Sequence, residues 1–248
     1  GTYDGNGKTI SGLTIAGGST TFQALFGSVE NATIQNLTLS GASISGGTYA
    51  GAFVGYSWNG LTMTNCHAVN CTVSSTGNSV GIFVGYLTDS ASTIKSCTAT
   101  GGSVSGSSQV GTIVGYSYAS NANTHKIVGC VGRVTGGANV VGENSRTSSQ
   151  IIASYGVNAY TITAGTDVTI TYSAVNSTYS DIIHPPYIVA GETVPVTLGY
   201  TGSLSSYTFQ ATGATLNNEG TQLSNAQGNV EITATEVQKT GHQRRIHR

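Results

Sequence analysis

Short apolar runs alternate with glycines and small polar residues along this chain, and the runs recur in register. Gly51-Ala-Phe-Val-Gly-Tyr56, Gly81-Ile-Phe-Val-Gly-Tyr86 and Gly111-Thr-Ile-Val-Gly-Tyr116 stand 30 residues apart. Weaker copies flank them, Leu25-Phe26-Gly27 before and Val140-Val141-Gly142 after. A second block keeps the same phase: Ile34-Gln-Asn-Leu37, Met63-Thr-Asn-Cys66, Ile94-Lys-Ser-Cys97 and Ile127-Val-Gly-Cys130. A third sets Ile44, Val73, Val104 and Val134 between small polar residues. No stretch of ten residues carries helical periodicity, so the pattern predicts an all-β chain.

Three short β segments per period suit a coil with three faces. One such coil cannot bury its apolar side alone. Stacked coils can, because each pairs its backbone with the next at about 4.8 Å and lines up like residues in columns. A β-propeller blade needs four antiparallel strands in about 40 residues, more than this period supplies. The expectation is therefore a parallel β-solenoid over residues 1–145. Coils of 27–30 residues should fill 24–142, with Leu37, Cys66, Cys97 and Cys130 stacked inward. Glycines of fixed phase then mark corners of positive φ or points of close backbone approach.

The pattern breaks near Gly142, and Glu143-Asn-Ser-Arg-Thr-Ser-Ser149 reads as a linker. Beyond it, alternating segments at 159–163, 167–172, 187–189, 193–198, 207–211 and 229–234 predict a small antiparallel, β-sandwich-like module over 150–238. Pro185-Pro186 reads as a stiffened loop before an edge strand. The last ten residues, 239–248, hold four of the nine Lys and Arg and read as a disordered basic tail. No apolar run reaches the ~20 residues that a membrane-spanning helix needs. The chain opens in mid-pattern at Gly1, without a signal peptide, and reads as a piece of a larger precursor.

Composition sharpens this picture. Only 8% of residues are charged and the net charge is −1, so nucleic acid is not expected as a partner. Apolar residues make up 38%, which argues against a long disordered segment.

Gly1-Thr-Tyr-Asp-Gly-Asn-Gly-Lys-Thr-Ile-Ser-Gly-Leu-Thr-Ile15 resembles the opening turn of many bacterial surface β-helices, and the Gly-x-φ-Val-Gly units resemble GLUG repeats. Such repeats occur in large secreted or surface proteins of bacteria, including adhesin-like proteins and parts of IgA-cleaving proteases outside the catalytic domain. The resemblance covers about residues 1–145. It implies a right-handed parallel β-helix, an extracellular or cell-surface setting and a role in attachment to a glycan or a host protein. A runner-up is an accessory region of a larger secreted glycan- or protein-degrading enzyme. Residues 188–198 and 228–234 resemble, more loosely, small β-rich modules that trail bacterial surface proteins.

Candidate chemistry is sparse. Glycoside hydrolysis needs two carboxylates about 5–9.5 Å apart, and residues 24–142 contain only Glu30 and Asp89, at different phases of the repeat. Lys95, Lys126 and Arg133 have no acidic cluster beside them. The expectation from these residues is that the chain is not an enzyme and takes no cofactor. Cys66, Cys97 and Cys130, with His67 beside the first, lack the close pairs of a zinc site, and read as buried free thiols in a ladder. At most one disulfide is expected among them. Cys71 reads as a small buried residue at another phase, and His125, His184, His242 and His247 form no recognisable cluster. Thr33, Thr62 and Thr93 share a phase, and regular Thr arrays on solenoids can bind ice; the break at Thr124 and the intrusion of His67 and Lys95 weigh against that.

The candidate binding residues are aromatic. Tyr56, Tyr86 and Tyr116 follow the second glycine of each unit, with Trp58 and Tyr118 two positions further on. Rings one coil apart form a strip that can grip a ligand or partner. The alternatives are a purely structural ladder covering a corner, or a contact with the second module.

Overall fold

The computed structural model describes residues 1–158, 165–173, 182–199 and 205–238. The strand expected at 159–163 and the basic tail at 239–248 lie outside the described residues. The chain divides into two compact units, Gly1–Ala164 and Gly165–Arg248. The described residues of both are all-β, with no helix among them.

The first unit is a β-solenoid whose neighbouring strands pair in parallel. Val54 stands opposite Val84, Val84 opposite Val114, and Val114 opposite Val141. Ile34, Met63, Ile94, Ile127 and Ile151 form a second register column. Ile44, Val73 and Val104 form a third. Coil length varies, and the loops at the corners absorb the difference. The core is the inside of these columns, save at Ile151 on the last coil, which is exposed. Phe53 and Phe83 stack at 5.0 Å, and Leu37, Cys66, Cys97 and Cys130 are all buried, as the repeat phase requires. The segments are more finely divided than the expected three per coil, because Ala50–Gly51, Asn78–Gly81 and Ser108–Gly111 form a small sheet of their own.

The repeat glycines serve close approach, not positive φ. A Cβ on Gly51, Gly81 or Gly111 would lie 2.3, 2.3 or 1.9 Å from the carbonyl oxygen of Val54, Val84 or Val114. Left-handed corners fall elsewhere. Asn36, Asn65, Ser96 and Gly129, each just before the Leu37/Cys column, have φ of 54, 52, 53 and 60°. Asparagine tolerates that region better than most residues because its short amide bonds locally. Here Asn65 Nδ2 donates to Asn36 Oδ1 at 3.0 Å, and Asn36 Nδ2 donates to Asp4 Oδ1 at 3.1 Å.

The solenoid also runs further than its apolar repeat. Glu143–Ser149, expected as a linker, belongs to another coil: Val141–Ser145 pairs with Val114–Tyr118, Ser149–Ile152 with His125–Val128, and Tyr155–Asn158 with Val131–Thr135. The sequence signal fails there because polar residues occupy the register positions. Glu143 replaces tyrosine, and Asn144 follows Ser117. The threonine column is likewise short, since Thr2, Thr33, Thr62 and Thr93 are followed in register by Lys126 and Gln150.

In the second unit, Val230–Gln238 is the central strand. Ser205–Thr212 pairs with it antiparallel and Thr166–Ser173 pairs with it in parallel, while Tyr187–Ile188 forms an antiparallel edge just after Pro186. A second small antiparallel sheet joins Val194–Pro195, Gln222–Ser224 and Thr215–Leu216. Val168, Ile188, Val194, Leu223, Val230 and Ile232 are among the buried apolar residues of this unit.

Gly81→Ala tests the close-packed coil. Its methyl group meets backbone that cannot yield without shifting a strand, so the variant should lose about 1–3 kcal/mol in denaturant unfolding.

Candidate functional site

Parallel register brings the five expected aromatic residues together. Tyr56, Tyr86 and Tyr116 are direct register partners on successive coils. Tyr56 and Tyr86 stack at 5.1 Å with planes 20° apart, and Tyr86 meets Tyr116 at 5.0 Å and 56°. Trp58 lies 4.9 Å from Tyr56 at one flank, and Tyr118 lies 6.3 Å from Tyr116 at the other. The three column tyrosines and Tyr118 are half-buried, whereas Trp58 is 53% exposed.

Two further rings extend this ridge. Tyr49 sits 5.2 Å from Tyr56 and 5.1 Å from Tyr86, and Phe22 stacks on Tyr49 at 5.4 Å and 17°. Neither carried a repeat signal. The residues at the equivalent places in the next coils are Ser79 and Gln109, which share the left-handed backbone of Tyr49, with φ of 59, 56 and 66°. Phe22 lies in the irregular segment before the first strong repeat. At the other end Arg146 Cζ lies 5.6 Å from the centroid of Tyr118, a cation–π contact.

In the ridge two ring pairs are stacked, Phe22–Tyr49 and Tyr56–Tyr86, and the others meet tilted or edge to face. Pairs of this kind are worth roughly 0.5–1.5 kcal/mol beyond area burial, so the middle rings are held in place before any ligand arrives. Burial, followed by the neighbouring tyrosines Tyr56, Tyr116, Tyr49 and Tyr118, pushes the Tyr86 phenol well above its ordinary range. Burial, then Tyr49, raises Tyr56 as well.

The structure also assembles a cluster that the sequence did not reveal. Ser117 Oγ lies 2.7 Å from His125 Nδ1, 2.8 Å from Ser148 Oγ and 2.6 Å from Ser149 Oγ. His125 Nε2 lies 3.0 Å from the Thr88 carbonyl oxygen. A serine hydrogen-bonded to a histidine is the pairing of a nucleophile with its base. Here, however, Ser117 and His125 are both fully buried, and the second ring nitrogen meets a carbonyl oxygen, not a carboxylate. No substrate reaches this hydroxyl in the folded coil.

The other candidates are dispersed. Glu30 accepts a hydrogen bond from Asn59 Nδ2 at 2.8 Å, and Asp89 accepts from Ser120 N and Oγ at 3.1 and 3.0 Å. The four cysteines are free and buried. Burial, then Cys130 and Cys66, drives the Cys97 thiol well above its usual range, which disfavours the thiolate that metals and electrophiles require. His67 is lowered by burial and lies 2.8 Å from Thr98 Oγ1. Among the described residues no three His, Cys, Asp or Glu side chains stand together as a metal site.

No family model matches the sequence, and no curated protein matches it. One solved structure does, the crystal structure of a putative immunoglobulin A1 protease from Bacteroides ovatus. The match has a TM-score of 0.39 and 17% identity, and spans 66% of this chain and 64% of that one. At that TM-score the likeness transfers neither a fold nor an activity to this chain. That protein's name nevertheless runs against the expectation that this chain is not an enzyme, and the expectation is withdrawn. Its basis was too narrow, because a lack of paired carboxylates bears on glycoside hydrolysis and says nothing of amide hydrolysis by other groups.

The half-buried tyrosine stack sets an alkaline limit on stability. The folded state holds the Tyr86 proton more tightly than the unfolded chain does, so stability is intact below pH of about 10 and falls above it. Tyr86→Phe should blunt that alkaline loss in unfolding curves. Tyr86→Ala should lower stability at neutral pH by roughly 1–3 kcal/mol through its ring contacts, and Trp58→Ala by clearly less.

Proposed function

We propose that the solenoid is an attachment unit of a secreted or surface-displayed bacterial protein, and that it grips a surface glycan or a host protein along the aromatic ridge. The observation that carries this reading is the continuous run Phe22, Tyr49, Tyr56, Tyr86, Tyr116 and Tyr118, with Trp58 on Tyr56, each ring centroid within 6.3 Å of another. Tyrosine, tryptophan and arginine are enriched where proteins bind, because large rigid rings give contact area at small entropic cost. A ladder needed only to cover a corner has no use for the half-exposed Trp58 at its flank. The resemblance of the Gly-x-φ-Val-Gly units to GLUG repeats of large bacterial surface proteins supports the same setting.

The test is a binding screen of the 248-residue chain against immobilised glycans and extracellular host proteins, followed by ridge variants. Trp58→Ala should weaken the selected interaction several-fold while the melting temperature stays nearly constant, as expected of a surface change. Binding that is indifferent to both Trp58→Ala and Tyr118→Ala would place attachment elsewhere.

A further inference from the structure

The interior of the solenoid changes character along its length. At one corner Ala32 pairs with Leu61, whose N–H donates to Ser92 Oγ, and Ser92, His125 and Ser149 follow in register, so the corner is apolar at its start and polar at its end. The neighbouring column, Val29, Ser57, Leu87, Ser117, Asn144, alternates at first and ends in two polar residues. At this corner the last coil meets the body of the solenoid through a connected set of side-chain hydrogen bonds, denser than the single Ser92 and Thr88 bonds of the coils before it.

Those hydrogen bonds fix the protons. His125 Nε2 faces the Thr88 carbonyl, an acceptor only, so this nitrogen carries the hydrogen. Nδ1 is then a bare acceptor and takes the hydrogen of Ser117 Oγ. Ser117 Oγ in turn accepts from Ser149 Oγ. Ser148 Oγ donates to the Ser117 carbonyl at 2.8 Å, and Asn144 Oδ1 accepts from Ser149 N at 2.8 Å. In this arrangement Nδ1 is an acceptor, as in a neutral imidazole. A second proton there would turn Ser117 Oγ into its acceptor and send the Ser117 hydrogen to Ser148 Oγ at 2.8 Å. The rearranged cluster would then enclose a fully buried cation whose other ring nitrogen meets a carbonyl and no carboxylate, and burying an unpaired charge is costly.

We propose that the Ser117–His125–Ser148–Ser149 cluster is an acid-sensitive clasp, which holds the coil Val141–Asn158 onto the solenoid at neutral pH and releases it when His125 gains a proton. Asp89 is the charged group that acts on the His125 ring. Its carboxylate favours the cation, yet it is exposed and already bonded to Ser120. Lys95, Lys126, Glu143 and Arg146, the other charged side chains on the elements packed here, are exposed. Burial is the largest influence on the ring and lowers its affinity for a proton, against the smaller opposing effects of the Thr88 and Ser90 backbone and Asp89. The unfolded or opened coil therefore protonates first. Stabilisation by the clasp is full above pH of about 6.5 and declines as pH falls through and below that value.

Hydrogen exchange of the full chain, read by mass spectrometry at pH 7.5 and pH 5.0 and corrected for intrinsic rates, tests this. Peptides within 141–158 should exchange at least tenfold faster at the lower pH, while those of residues 26–87 keep their protection. His125→Gln should remove the difference, and His67→Gln should leave it in place. Unchanged exchange in 141–158, the same acid response in His125→Gln, or its loss in His67→Gln would overturn the proposal. Should His125→Gln fail to fold, the wild-type protein decides the matter. The opening midpoint should coincide with the His125 ring titration followed by NMR, and a midpoint that does not track the ring overturns it.

Discussion

Everything in the solenoid follows from parallel pairing in register. When each coil lies directly on the last, a side chain meets the residue one period away, and every position becomes a column. Inward columns of valine, isoleucine and phenylalanine exclude water, and outward columns set like beside like. The same constraint explains the repeat glycines. A turn that brings the Gly81 Cα against the Val84 carbonyl has room for a hydrogen and not for a methyl group, and the requirement recurs on each coil.

Columns magnify small choices of residue. Tyrosine at one position of three successive coils makes a ridge of stacked rings, braced by Tyr49 and Phe22. Cysteine at another makes a buried ladder in which Cys97 is flanked by sulfur neighbours on both sides. Serine, histidine and asparagine at the last corner make a hydrogen-bonded interior in which burial disfavours a charge on the histidine. The ridge therefore owes its rigidity, and the clasp its sensitivity to protonation, to the repeated backbone beneath them.

Much of this was legible in the sequence because a column writes itself as a period. The valines, the isoleucine–methionine block, the cysteines and Tyr56, Tyr86 and Tyr116 all stand at fixed phase. Legibility fails where a coil keeps the backbone and changes the side chains. Glu143 and Asn144 occupy rungs that are tyrosine and serine one coil earlier, so the last coil reads as a linker. Tyr49 and Phe22 join the ridge from outside the repeating block, and His125 meets Ser117 across a corner loop, a contact that no spacing rule anticipates. Counting carboxylates also misled the reading of activity, since it tests one class of chemistry only.

Methyl-selective NMR of the folded chain addresses the central claim, parallel pairing in register, most directly. Val54 methyl groups should show cross-peaks to Val84, and Val84 to Val114, alongside ring contacts linking Tyr56 to Tyr86 and Tyr86 to Tyr116. Contacts confined to sequence neighbours, or a pattern joining Val54 to Val114 while bypassing Val84, would contradict the stacked coil and the ridge with it.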